Sequence, residues 1–217
     1  MTNYGATTTT DEILQGQILT GRHFMVTGAS SGLGEETSRA LSSVGATITM
    51  VSRNKEKLEA ARERIKETIP SADLHIGIVD LSDLASIRAY ASDFLATQKQ
   101  IDVLINNAGI MACPFSKTKD GFEMQFGTNH VGHFLLTNLL MPAILDGDKP
   151  RIINLSSAGH THSDVDLEDP NFDTSEYNAW ESYGRSKSAN IHFTQELVRR
   201  YGNKLQSFAV HPGDRTR

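Results

Sequence analysis

The stretch T-G-A-S-S-G-L-G, Thr27 to Gly34, follows the apolar run F-M-V and leads into E-E-T-S-R-A-L. A buried strand, a glycine-rich turn and an amphipathic helix in that order form the frame in which backbone N–H groups at a helix N-terminus can meet a phosphate. Gly28, Ser30, Ser31, Gly32, Leu33 and Gly34 are therefore the expected anion loop, with small residues letting a dinucleotide's pyrophosphate approach bare backbone. The spacing is G-x-x-x-G-x-G and differs from the commoner G-x-G-x-x-G. Taken alone, the string is equally an ordinary glycine-rich turn.

Outward from this stretch, the segments His23–Val26, Thr47–Val51, Leu74–Val79, Val103–Ile105, Ile152–Leu155 and Ser207–Val210 are short apolar runs, as parallel strands buried on both faces should be. Between them Gly34–Val44, Asn54–Thr68, Asp83–Thr97, Phe122–Leu145 and Tyr183–Tyr201 carry apolar residues at helical spacing. The alternation predicts an α/β fold, a Rossmann-like doubly wound parallel sheet with helices on both faces and ligands at the strands' carboxyl ends. Residues 1–20 read as a polar, threonine-rich extension in which Ile13 to Leu19 could tuck against the core, and 21–217 as one dinucleotide-binding domain. Gly159 to Trp180, polar and acidic with Pro170 inside, predicts a long loop over the site.

A net charge of -5 with interspersed signs argues against a nucleic-acid partner. Cys113 is the only cysteine, which excludes an intrachain disulfide and a cysteine-based zinc site. No signal peptide and no run of ~20 apolar residues is visible, so no transmembrane anchor is expected and the cytoplasm fits best. His130 with His133, and His160 with His162, lack a third ligand at a recognisable spacing; packing roles are expected and no metal.

In Y-G-R-S-K, Tyr183 and Lys187 stand one helical turn apart, so a phenol and an ammonium share one small volume. Such a pair can move a proton, though alone it is an ordinary surface pair. After the second strand the chain reads V-S-R-N: Ser52 does not repel a 2′-phosphate, and the Arg53 guanidinium can pair with one, which favours NADP(H) over NAD(H). Asp80, followed by Leu81, ends H-I-G-I-V-D, placed either to accept from an adenine amino group or backbone N–H, or to serve a turn or helix cap. Asn106, Asn107, Ala108 and Gly109 end the next strand, where small residues allow close approach of a cofactor or make a plain turn.

In their order and spacing, T-G-A-S-S-G-L-G, N-N-A-G, N-L-S-S and Y-G-R-S-K resemble the motifs of the short-chain dehydrogenase/reductase family. The run from Asn107 to Thr137 is similar to its retinol-dehydrogenase-like branch, which includes the oxidoreductase domain of WW-domain proteins. The resemblance implies a catalytic set of Asn129, Ser157, Tyr183 and Lys187, with Ser157 as the second serine of its pair and Ser156 as the alternative. Strand alternation also turns these two side chains to opposite faces. The set implies hydride transfer between NADP(H) and an alcohol/carbonyl pair, Tyr183 as general acid/base and Ser157 as a hydrogen-bond donor. A cation at Lys187 would favour the phenolate, and the resemblance further implies that Lys187 binds the nicotinamide ribose and that Asn129 helps hold a water linking the lysine to solvent. His211 is expected to pack near the nicotinamide pocket, and Pro212 and Gly213 to border the cofactor.

Against the family pattern, the final H-P-G-D-R-T-R lacks the usual apolar continuation, so Thr216 does not inherit a cofactor contact. A substrate-binding segment and last strand are expected to be missing, leaving an uncovered sheet edge. The resemblance implies a small hydrophobic alcohol, aldehyde or ketone as substrate. Its helices Phe122–Leu145 and Tyr183–Tyr201 resemble family dimer faces, so a homodimer is one expectation. The alternative readings are a non-catalytic dinucleotide-binding regulator or inactive fragment and, behind it, a sugar-nucleotide epimerase, which would need a larger substrate domain.

Overall fold

Six strands, each of four to six residues and joined by five crossovers, assemble side by side in a computed structural model that describes residues 4, 5 and 7–213. They are β1 (His23–Thr27), β2 (Thr47–Ser52), β3 (Asp73–Ile78), β4 (Val103–Asn106), β5 (Arg151–Leu155) and β6 (Gln206–Val210). All pair in parallel in the order β3-β2-β1-β4-β5-β6. The chain reverses its direction of travel between β1 and β4, which opens a crevice beyond their carboxyl ends.

Alternation along the strands divides the core. Phe24, Val26, Ile48 and Met50 pack with Leu58, Ala61 and Ile65 of α3 (Lys55–Thr68), on the face that also carries α2 (Gly32–Ser43). Met25, Val51 and Leu104 point the other way. They meet Ile87 of α4 (Leu84–Ala96), Leu136 and Leu140 of α6 (Gly132–Leu145), and Phe193 of α7 (Ala179–Tyr201). On β6 the side chains of Phe208 and Val210 remain exposed.

The expected strands and helices are present with small shifts at their ends. The segment read as one helix over Phe122–Leu145 is three pieces: α5 (Met124–Phe126), a π-turn at Gly127–Val131, and α6. Helix α7 starts at Ala179, four residues before Tyr183, because the Asn178 side chain accepts the N–H groups of Trp180 and Glu181 and caps it. In the extension, Leu19 packs on the core, whereas Ile13 and Ile18 are exposed and the short α1 (Thr10–Leu14) buries nothing. Thr216 lies outside the described residues. Among those described, no helix is long and apolar enough to cross a membrane.

Candidate active site

The crevice at the strand ends is a cleft of about 900 Å³. Its floor is the glycine loop. Gly28 and Gly32 have φ of +69° and +60°, which L side chains adopt only under strain. A Cβ on Gly28 would lie 2.8 Å from Ala108 Cα, and one on Gly34 would lie 2.7 Å from Asn107 Nδ2, so this loop is pressed against the N-N-A-G turn. Ser31, the N-cap of α2, makes no side-chain capping bond. The first-turn N–H groups of α2 are thus left without a side-chain cap, as an anion-binding turn requires.

Beyond β2 the cleft is lined by Ser52, Arg53, Asn54 and Lys57, and beyond β3 by Asp80 and Leu81. Ser52 donates to Ser30 Oγ at 3.3 Å, tying β2 to the glycine loop. Arg53 is exposed, and among the described residues its guanidinium has no hydrogen-bond or ion-pair partner. Lys57 adds a second cation that the sequence reading did not single out. One oxygen of Asp80 accepts the N–H of Ser82 at 2.9 Å and its hydroxyl at 2.6 Å. The turn role is therefore present, while Asp83 is the residue that caps α4.

At the opposite end stands Gly109. A Cβ there would approach Asn129 Oδ1 at 3.3 Å and Lys187 Nζ at 3.6 Å, which brings the π-turn and α7 to the rim of the cleft. Asn129 is fully buried. Its amide brackets Ile110, accepting from the N–H at 2.8 Å and donating to the carbonyl at 2.9 Å, and donates to Ser186 Oγ at 3.0 Å. Lys187 is also buried and donates to the Leu155 carbonyl at 2.9 Å, with its Nζ 5.5 Å from the centre of the Tyr183 ring. Burial pushes the ammonium pKa down to about 8. Among the described residues it has no carboxylate partner, so its charge is not neutralised locally.

Ser157 and Tyr183 meet across Gly159, where a Cβ would lie 2.7 Å from the tyrosine ring and 3.4 Å from Ser157 Oγ. Ser157 Oγ accepts the Gly159 N–H at 3.1 Å, which leaves the hydroxyl proton available. Ser156 turns away and donates to the Lys187 carbonyl at 3.0 Å. The structure thus brings Asn129, Ser157, Tyr183 and Lys187 together behind Gly109, which lines one end of the cleft, although none of the four is itself in the lining. Pro212 and Gly213 it leaves exposed past β6, outside the cleft lining; their neighbour His211 accepts the Ala158 N–H at 3.3 Å.

The loop between residues 163 and 178 is built around Asp169, whose carboxylate accepts from the backbone of Asp173, Thr174 and Ser175 and from both hydroxyls. Arg185 anchors this loop to α7, donating to the Asp169 carbonyl at 2.7 Å and lying 4.0 Å over the Phe172 ring. Tyr177 then joins it to the cleft wall by donating to the Cys113 carbonyl at 2.9 Å. His130 packs among Phe126, Phe134 and Phe193. Among the described residues no three metal-ligating side chains cluster.

The family described as short chain dehydrogenase matches residues 22–168. Human retinol dehydrogenase 11 is 45% identical over 199 residues, covering 90% of this chain and 61% of its own length. A solved structure of an uncharacterised protein from Mycobacterium paratuberculosis superposes with a TM-score of 0.82 at 42% identity, covering 92% of this chain and 71% of that one. A short chain dehydrogenase from Shigella flexneri 2a, solved in complex with NADP, gives 0.73 at 26% identity, covering 90% of this chain and 78% of that one. A doubly wound parallel sheet with a glycine-rich turn at its switch point defines the Rossmann-like class of α/β folds. Within it, the chain belongs to the short-chain dehydrogenase family and is similar to retinol dehydrogenases, spanning about three fifths of the length of the curated relatives it matches.

Proposed function

We propose that the protein is an NADP(H)-dependent alcohol/carbonyl oxidoreductase in which Tyr183 is the general acid/base. The observation that carries this reading is the buried Lys187 ammonium beside the Tyr183 ring, without a carboxylate partner among the described residues, next to the end of the cleft marked by Gly109, where Ser157 keeps a hydroxyl proton to give. When bound, the dinucleotide supplies or accepts the hydride. The α2 turn without a side-chain cap and the glycine loop suit its pyrophosphate, and the exposed Arg53, without a partner among the described residues, suits a 2′-phosphate together with Lys57.

During reduction, negative charge grows on the substrate oxygen. Ser157 donates a hydrogen bond to it and Tyr183 delivers a proton. In the oxidative direction the phenol must first lose that proton, and an unneutralised cation close by in a low-dielectric site favours the phenolate. Lys187 provides that cation. Asn129 has spent its amide on Ile110 and Ser186, so its side chain acts here by fixing the strand end and α7.

The substrate end of the cleft is walled by Ile110, Cys113, Pro114, Phe115 and Met124, which suits a small hydrophobic alcohol, aldehyde or ketone. The names of the relatives direct the first substrate panel to retinoids. The single tryptophan, Trp180, stands 6.4 Å from the Tyr183 ring, and its emission is the signal to follow. Titration with NADPH should quench its emission, and a panel of hydrophobic aldehydes should then consume NADPH. NADPH binding without turnover on any carbonyl would select the non-catalytic regulator; no binding would sink both readings.

A further inference from the structure

His133 is fully buried in the first turn of α6, a largely apolar helix whose other polar side chains are Thr137 and Asn138. Gly132 permits this, because a Cβ there would run into the Leu81 carbonyl, and the helix start is pressed onto the segment after β3. The imidazole bridges two elements that border the cleft. On one side lies Thr27, the last residue of β1. Its hydroxyl accepts the N–H groups of Asn107 at 2.9 Å and Ala108 at 3.0 Å, which occupies both lone pairs. The hydroxyl proton must then be donated, and His133 Nε2 at 2.8 Å is a far better acceptor than the Ile105 carbonyl at 3.4 Å.

On the other side, His133 Nδ1 lies 2.9 Å from the Asn129 carbonyl, which can only accept. Nδ1 must carry a hydrogen. Two independent contacts thus require the same neutral tautomer, protonated at Nδ1 and accepting at Nε2. An imidazolium would set an Nε2–H against a hydroxyl with no lone pair left. Burial, with Lys187 and His130 acting in the same sense, pushes the pKa of the imidazole down to about 4.

We infer that His133 is a positioning residue of the dinucleotide cleft: as the Nδ1–H tautomer it orients the Thr27 hydroxyl that holds the Asn107–Ala108 turn, and ties that turn to the π-turn carrying Asn129. The inference rests on the reading of this cleft as a dinucleotide site. The consequence is a coupled floor. The same N-N-A-G turn presses on Gly28 and Gly34 at the phosphate end and leads to Gly109 beside Lys187 at the other.

The first test needs no cofactor. Nitrogen-15 shifts of the histidine rings should show His133 with a protonated Nδ1 and a pyridine-like Nε2; an Nε2–H tautomer, or a His133 that titrates like a surface histidine, would overturn the inference. The second test measures NADPH dissociation constants for three variants whose melting temperatures are recorded alongside. In His133→Gln the side-chain oxygen reaches the place of Nε2 and keeps the acceptor for Thr27. In His133→Asn the amide nitrogen keeps only the donor to Asn129, and His133→Leu loses both. NADPH binding should be near wild type in His133→Gln and at least roughly 5- to 10-fold weaker in the other two, both of which lose the neutral hydrogen bond from the Thr27 hydroxyl. A His133→Leu protein that melts and binds like the wild type would defeat the inference alone, whereas a wild-type chain that does not bind NADPH would defeat the dinucleotide reading beneath it.

Discussion

Lys187 Nζ lies 5.5 Å from the centre of the Tyr183 ring and is held by the Leu155 carbonyl, a bond that turns an i, i+4 pair on α7 into a fixed phenol and cation. Tyr183→Phe removes the transferable proton and keeps the ring's contact with Gly159. Turnover should fall by roughly 10²- to 10⁴-fold, the usual worth of a positioned acid or base, while NADPH affinity stays within error. Steady-state rates beside Trp180 quenching measure both, and retained turnover would exclude the tyrosine as the proton donor.

The same burial that makes Lys187 useful should be visible in stability. Its pKa drops from 10.5 to about 8 in the native state through burial. Between pH 8 and 10.5 the unfolded chain holds a proton that the native state has released, so native stability should rise with pH across this window, by up to about 3 kcal/mol. Lys187→Met should lose that rise, and it leaves no orphan carbonyl, because Asn190 Nδ2 also donates to Leu155 at 3.1 Å. Urea denaturation of both proteins through the window decides it: parallel curves would show that the lysine is not destabilised by burial.

The strand and helix runs were legible because parallel strands buried on both faces read as short apolar blocks separated by helical periodicity. The glycine string, placed between the first block and the first helix, oriented the rest. The order β3-β2-β1-β4-β5-β6 was not legible, since strand neighbours depend on crossovers whose residues carry no label for their destination. The π-turn at Gly127–Val131 was hidden for a different reason: one extra residue in a long apolar helix barely disturbs its pattern. Asn178 as the cap of α7 was visible as N-A-W-E, three residues ahead of a glutamate, but the tyrosine motif drew the helix start downstream. The histidine inside the apolar run G-H-F-L-L-T was the one sequence signal for the Thr27 network, and only the third dimension supplied its partners.

Arg53 tests the coenzyme. Its guanidinium lines the cleft and, among the described residues, has no partner, so truncating it breaks no internal ion pair. Arg53→Ala should weaken NADPH binding by roughly 10- to 100-fold, the worth of a charge-assisted contact to phosphate, and leave NADH nearly unchanged. Lys57→Ala should shift the same ratio less. Equal losses for the two coenzymes in Arg53→Ala would reassign this end of the cleft to NAD(H).

Gly109 lines the cleft and Gly34 packs behind the glycine loop, yet the atoms waiting for a Cβ differ in kind. At Gly34 they are the Gly28 carbonyl oxygen, inside van der Waals contact, and Asn107 Nδ2 at 2.7 Å; the first is backbone and cannot step aside. At Gly109 they are side-chain ends, Asn129 Oδ1 at 3.3 Å and Lys187 Nζ at 3.6 Å. Gly34→Ala should therefore force the glycine loop away from the N-N-A-G turn, costing about 1–3 kcal/mol of stability and most of the NADPH affinity. Gly109→Ala should melt close to the wild type and fail later, by setting a methyl group against the lysine. Melting curves and coenzyme titrations of the pair separate the two, and a Gly109→Ala protein less stable than Gly34→Ala would contradict the tight contact between the loop and the turn.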